Sequence, residues 1–343
     1  MAWNRAFALI GALVCASCSS TEVGRQTADQ NCSVFAPVVG RPLRIVSTVA
    51  PITSLVAQIV GDAPVQVSGL VPEGTNSHTF EPPPSAARVL ESADAVFMNG
   101  LVLEEPTKDL AKANVGDTTV LCELGTKILP RDQWVYDFSF PKEGGKPNPH
   151  LWTNPPMAKS YAATIRDVLS LLDPPNAPAY AANYEALERV IDDLDAAMAA
   201  ATATIPPARR LLLTYHDAYA YFARHYEWAV VGAIQPSSFD EPSPKDIANL
   251  IAQVREKQVP AVFGSEVFPS AVLEQIGEET GARYIDVLRD DDLPGKPGDP
   301  EHSWQALMRF NFVTMIEAIG GDAASLRALD VALRAPDRAE YPQ

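Results

Sequence analysis

LRIVSTVAPITSLVAQIVGDAPVQVSGL, residues 43–70, decides the fold. LRIVST is a short β-branched run that reads as a strand, ITSLVAQIV carries a helical pattern, and VQVSGL reads as a second strand. A strand, a helix and a strand in so few residues predict a parallel pair with the helix laid across one face. The grammar continues outward. PSAARVLESA reads as a helix, AVFMNG (95–100) and TTVLCEL (118–124) as strands, and a helix follows near 155–172 beyond a Pro- and Gly-rich loop at 129–149.

The most periodic segment runs from Pro178 to about Thr204. Tyr180, Tyr184, Leu187, Ile191, Leu194 and Met198 fall on one stripe at steps of three and four. Pro178 suits a helix start, and Ile205-Pro206-Pro207 ends it. Beyond it the βα alternation restarts. RLLLTY (210–215), WAVVGAI (228–234), AVFGSE (261–266) and ARYIDVL (282–288) are strands, with helices between them, Ser243 as a cap, and a closing helix SWQALMRFNFVTMIEAI. The expected fold is α/β, with two lobes, each a mainly parallel sheet flanked by helices, joined by one long rigid helix. The lobes span 43–175 and 206–320, the connecting helix 176–205, and a tail 321–343.

The first residues read as an export signal, 1–17: Arg5 is the basic region and AFALIGALV the apolar one, too short to cross a bilayer. The small residues Ala16 and Ser17 precede Cys18 as in a lipobox, although Cys15 stands where Leu or Val is usual. Cys18 is the expected lipid anchor, and residues 18–42 the tether from membrane to domain. Export also permits a disulfide between Cys32 and Cys122, but their spacing is not diagnostic, and two separate thiols are the ordinary expectation. A net charge of −16 argues against nucleic acid as a partner, because phosphate binding needs clustered Lys and Arg.

Only five histidines occur, and three fall at strand ends. His78 sits in GTNSHTFEPPP after the second strand, His150 after the Pro/Gly loop, and His216 directly after RLLLTY. Ligands of open α/β sheets bind outside the carboxyl ends of the strands, so the three imidazoles share a rim. The last strand delivers Asp290, Asp291 and Asp292 to the same rim. Three imidazoles and a carboxylate suit a closed tetrahedral Zn²⁺ site. His225, late in a helix, and His302, at the start of one, read as structural. Glu266 ends a strand at the rim as a supporting residue, and Asp217 reads as a helix cap. An enzyme needs an open metal position, and no HExxH, GxSxG or P-loop pattern is present. A zinc hydrolase remains the rival class.

Six stretches, PEGTNSHTFEPPPS, ADAVFMNGLVLEE, NPHLWTNP, LTYHDAYAYFARHY, EPSPKDIANLIAQVREKQVPAVFGSE and LRDDDLPGKPGD…LMRFN, together resemble the zinc- and manganese-binding solute-binding lipoproteins of bacterial ABC importers. The resemblance covers roughly residues 43–320 and implies His78, His150 and His216 as metal ligands. Its fourth ligand is an aspartate, best matched by Asp291, with Asp290 one register away. Asn148 stands where the family usually has Asp before Pro-His, and Pro300 to Ser303 are additional. His216, where manganese and iron members often carry Glu, leans toward zinc; the absence of a His-rich loop leans the other way, leaving manganese next. The resemblance further implies a monomer that hands metal to a permease and its ATPase, the long helix limiting any hinge opening. A surface adhesin with a structural metal fits the same residues.

Overall fold

The structure is a computed structural model that describes residue 1 and residues 30–235, 237–238, 242–265 and 271–343. The export signal, Cys18 and Glu266 lie outside the described residues. In the first lobe, β1 (Leu43–Ser47), α1 (Ala50–Val60), β2 (Val65–Gly69), α2 (Ala86–Glu91), β3 (Ala95–Met98), α3 (Glu105–Asn114), β4 (Val120–Glu123), α4 (Leu124–Ile128) and α5 (Pro155–Leu172) follow in order. The connecting helix is α6 (Ala177–Ala203). The second lobe contains β5 (Leu211–Thr214), α7 (Ala220–Tyr226), β6 (Ala229–Ala233), α8 (Pro244–Lys257), β7 (Ala261–Ser265), α9 (Ala271–Thr280), β8 (Arg283–Leu288), α10 (Trp304–Ala318) and α11 (Ala324–Arg327).

Both sheets are parallel and share one topology, β2-β1-β3-β4 in the first and β6-β5-β7-β8 in the second. The chain turns in opposite directions from β1 and from β5, so each sheet has a crevice at its carboxyl rim. Strand β3 is buried along its whole length, which explains its uninterrupted apolar run. In α8 the Ser243 side chain accepts from the Asp246 N–H while the Asp246 carboxylate accepts from the Ser243 N–H, a reciprocal cap that starts the helix as the sequence indicates.

Helix α6 has 27 residues, about 40 Å at 1.5 Å per residue. Tyr180, Leu187, Ile191, Leu194 and Met198 are all buried, and Tyr184 is partly so. The helix lies against α1, α5, α10 and α11. One continuous apolar core runs from Ile45 and Phe97 of the first sheet, through Ile165 and Ile191, to Phe263 and Phe312 of the second lobe. Separate smaller cores fill the far face of each sheet, around Val96 and Leu90 in one and Val262 and Ile276 in the other. The lobes are thus fused by packing.

Residues 31–32 at one edge and residue 340 at the other close the first sheet. Cys32 is disulfide-bonded to Cys122 of β4, in place of the separate thiols that the sequence favoured. Beside the bond, Cys32 N–H donates to the Leu121 carbonyl (3.0 Å), and Asn31 exchanges hydrogen bonds with the Glu123 backbone at 3.0 and 2.8 Å. Val34 and Val38 pack on the main core, so this part of the expected tether is folded onto the lobe. At the other edge, Glu340 N–H donates to Val67 O of β2 and Gly69 N–H to Glu340 O, both at 2.9 Å. Unpaired edge strands invite pairing with other chains, and here both are occupied.

Candidate metal centre

His78, His150 and His216 meet at the interface between the two rims. Two of the imidazoles come from the first lobe and one from the second. His78 is half-buried, whereas His150 and His216 are buried. The Nε2 atoms of His78 and His150 are 3.3 Å apart, and those of His150 and His216 are 2.9 Å apart. Two nitrogens bound to one tetrahedral zinc at about 2.0–2.1 Å would lie about 3.3 Å apart, so the spacing needs only small adjustment.

Hydrogen bonds behind the rings fix which nitrogen faces the centre. His150 Nδ1 lies 2.9 Å from Asn148 Oδ1. The Asn148 amide nitrogen donates to Asp137 Oδ2 and to the Asp217 carbonyl, so its oxygen faces the ring and His150 Nδ1 must carry the proton. His216 Nδ1 is likewise 2.6 Å from Gln235 Oε1. With both Nδ1 atoms donating outward, the Nε2 lone pairs point at one another across 2.9 Å. That arrangement repels unless a cation sits between them. Burial, with the neighbouring imidazoles second, holds His78 and His150 well below the ordinary imidazole range, so protons are poor occupants. Phe140 and Trp152 wall the site, with ring centroids 5.7 and 5.1 Å from His150.

The three aspartates after β8 take three different jobs. Asp290 hydrogen-bonds Ser265 and Tyr219, and its carbonyl accepts the Trp152 indole N–H at 3.0 Å. Asp292 accepts the Gly74 N–H through both oxygens, at 2.9 and 2.7 Å. Asp291 accepts the Ser77 hydroxyl at 2.6 Å through Oδ2, while its Oδ1 is buried with no hydrogen-bond partner. Burial raises the Asp291 carboxyl and the His216 imidazole lowers it, which places these two groups within electrostatic reach. The ligand atoms of the three histidines lie within 4.8 Å of one another, a group that does not include Asp291, whose orphaned Oδ1 is a buried acceptor with no protein donor.

Gly74 has φ +75°, a left-handed conformation that glycine adopts without strain, and it turns the loop so that His78 faces the rim. The His78 N–H donates to Asn76 Oδ1 at 2.9 Å. Next to Asn99 in the chain is a strained turn, Gly100-Leu101-Val102, with φ values of +74°, +54° and +68°. That turn closes on Glu104, which accepts from the Thr48 hydroxyl and the Asn99 and Gly100 N–H groups. The Asn99 side chain then donates to the Pro149 carbonyl at 2.8 Å. Burial pushes Glu104 up to about 7 despite these hydrogen bonds.

Asp217 does not cap a helix. α7 begins at Ala220 without a side-chain cap, and Asp217 is buried beside Asp137. It accepts the Ser139 N–H at 3.1 Å, and one oxygen of each carboxyl lacks a donor. Burial raises both, and a proton shared between them satisfies the pair. The other histidines lie elsewhere. His225 pairs with Asp195 at 2.7 Å, and His302 sits buried before α10 with Nδ1 3.2 Å from the Pro294 carbonyl. Ser77, Gln235, Glu104 and Asn99 carry no sequence signal as site residues, because each acts through a hydrogen-bond partner that only the fold brings to it.

Residues 45–318 match the ZnuA family model, described as zinc-uptake complex component A, periplasmic. The chain belongs to this family. Among its curated relatives is the iron-binding protein YfeA of Yersinia pestis, 28% identical over 280 residues, 82% of this chain and 87% of that protein. Another is the manganese ABC transporter substrate-binding lipoprotein PsaA of Streptococcus anginosus, 25% identical over 289 residues, 82% of this chain and 90% of that protein. Among solved structures, the periplasmic zinc-binding protein TroA of Treponema pallidum superposes with a TM-score of 0.72 at 24% identity, covering 82% of this chain and 99% of that one, a likeness of fold. This member of the ZnuA family is therefore a metal-binding, extracytoplasmic substrate-binding protein of the ABC transporter type, in a group described by transport and metal binding rather than catalysis.

Proposed function

We propose that the protein captures a divalent transition metal, zinc in first place and manganese next, between its lobes through His78, His150, His216 and Asp291, and delivers it to a membrane permease driven by its ATPase. The observation that carries this reading is the convergence of the imidazole Nε2 atoms, with their Nδ1 protons committed to Asn148 and Gln235. Asp291 supplies the anionic fourth donor through the oxygen that lacks a partner. Three neutral imidazoles and one carboxylate leave a bound divalent ion with one net positive charge, a set suited to borderline metals. Four protein donors fill a tetrahedral shell, which suits carriage rather than hydrolysis.

Because the ligands come from both lobes, loading ties them together, and loaded and empty forms differ at the surface that a permease reads. The shared core and α6 favour small lobe and loop shifts over a wide opening. Anchoring through Cys18 would hold the protein on the outer face of the membrane, as a monomer.

Calorimetry with Zn²⁺ and Mn²⁺ tests the assignment. His78→Ala, His150→Ala, His216→Ala and Asp291→Ala should each weaken binding by more than about 100-fold, beyond the 10–100-fold range of residues that only support ligands. Asp290→Asn should leave affinity within about that supporting range, since its carboxyl serves Ser265 and Tyr219. Undiminished binding in the histidine variants would refute the site.

A further inference from the structure

The segment 73–77 and the acidic segment 291–293 grip each other through three hydrogen bonds that cross the lobe interface. Asp292 takes the Gly74 N–H, Asp291 takes the Ser77 hydroxyl, and Glu73 Oε1 takes the Leu293 N–H at 2.9 Å. The pattern is reciprocal, because a carboxylate on each side holds a backbone N–H of the other. Two of these hydrogen bonds are partly buried rather than buried. His78 follows the first segment directly, and Asp291 is itself the first residue of the second.

A third element reaches the clasp. The family match ends at residue 318, but the chain runs on across the edge of β2 to residue 343. The Glu73 N–H donates to the Pro342 carbonyl at 3.2 Å, and Gln343 Nε2 donates to Glu73 Oε2 at 2.9 Å. Two contacts seat this end. The Tyr341 ring lies edge-on to His302, with centroids 4.6 Å apart, and its hydroxyl donates to Asp337 at 2.7 Å. Glu73 thus uses one carboxylate oxygen for the second lobe and the other for the chain terminus, while its N–H is also taken by the terminus.

We propose that Glu73 and the terminal residues 340–343 are positioning residues for the metal centre: they hold the His78 loop against the Asp291 loop and so slow the release of bound metal. The inference rests on the metal-site reading for its functional consequence, but the positioning itself can be measured without metal. A residue that merely supports the fold would alter binding and release through global stability. A clasp closed over the bound ion acts on release and leaves capture nearly unchanged.

The test compares the full chain with a truncation after Ala339 and with Glu73→Ala and Glu73→Gln. Stopped-flow mixing of Zn²⁺-loaded protein with excess chelator reads release, and mixing of empty protein with Zn²⁺ reads capture. Hydrogen–deuterium exchange of the metal-free chains reads the segments containing Gly74 and Leu293. The truncation and Glu73→Ala should release Zn²⁺ about five- to tenfold faster, as expected for the net loss of one ordinary hydrogen bond, with capture changed less than about twofold. Both segments should exchange faster while α6 does not. Glu73→Gln, which keeps an acceptor for Leu293, should stay near the unaltered protein. Unaltered exchange at both segments in Glu73→Ala would overturn the positioning, even if the unaltered chain bound no metal. Faster exchange with unaltered release from a metal-binding chain would overturn its role in retention, as would acceleration spread evenly through α6.

Discussion

Reducing the Cys32–Cys122 bond should cost the fold several kcal/mol. The bond closes a loop with a sequence separation of 90, and the chain-entropy relation for that length gives about 4.6 kcal/mol at 25 °C. Native geometry and residual structure in the unfolded chain usually reduce such figures, so a loss of about 3–4 kcal/mol is expected. Because one apolar core passes through both lobes, the loss should appear in a single transition rather than in one lobe alone. For a cooperative unit of this size that corresponds to a fall in Tm of roughly 5 °C. Urea unfolding and calorimetry of the same protein with and without a phosphine reductant measure it with every side-chain atom retained. Cys32→Ala supplies the control, since it should unfold identically under both conditions. The Asn31 and Cys32 backbone contacts to β4 persist on reduction, so metal affinity should not change. A loss below about 1 kcal/mol would show that the N-terminal segment holds β4 through those hydrogen bonds and that the crosslink adds nothing.

Asn148→Ala and Gln235→Ala each remove the acceptor that commits a ligand's Nδ1 proton, and each should weaken zinc binding by about 10–100-fold in a competition titration. Acidification should release metal as protons take the imidazole lone pairs, with affinity holding to below the ordinary imidazole range because His78 and His150 resist protonation. The same depression makes the metal-free fold lose stability as pH falls below about 6.5, since the unfolded chain then binds protons that the folded one does not. Glu104 acts with the opposite sign: raised to about 7, it binds a proton in the folded chain first, so its contribution to stability declines as pH rises from about 4.5 to 7. The difference in urea stability between the unaltered chain and Glu104→Gln should show that decline across this range.

The two sheets were readable because their signals are local. LRIVST and ITSLVAQIV switch period within a few residues, and the stripe from Tyr180 to Met198 marks α6 without reference to anything else. Helices α3 and α4 carry little sequence signal, the first because its apolar stripe is sparse and the second because it has only five residues. Asp217 looked like a cap because it precedes a helical pattern. The helix starts three residues later, and burial next to Asp137 decides its role.

The sequence alone determined the alternation of strands and helices, and with it the placement of His78, His150 and His216 at carboxyl ends of parallel strands. Periodicity and turn chemistry act over a few residues, and side-chain type at a strand end needs no partner to be recognised. Only the tertiary structure assigned separate tasks to Asp290, Asp291 and Asp292, paired Cys32 with Cys122, and brought residue 343 to Glu73. Those outcomes depend on which groups about 25 to 270 residues apart share one desolvated volume. A carboxylate's role there is fixed by whichever donor reaches it: Ser265 and Tyr219 for Asp290, Gly74 for Asp292, and for one oxygen of Asp291 no protein donor at all.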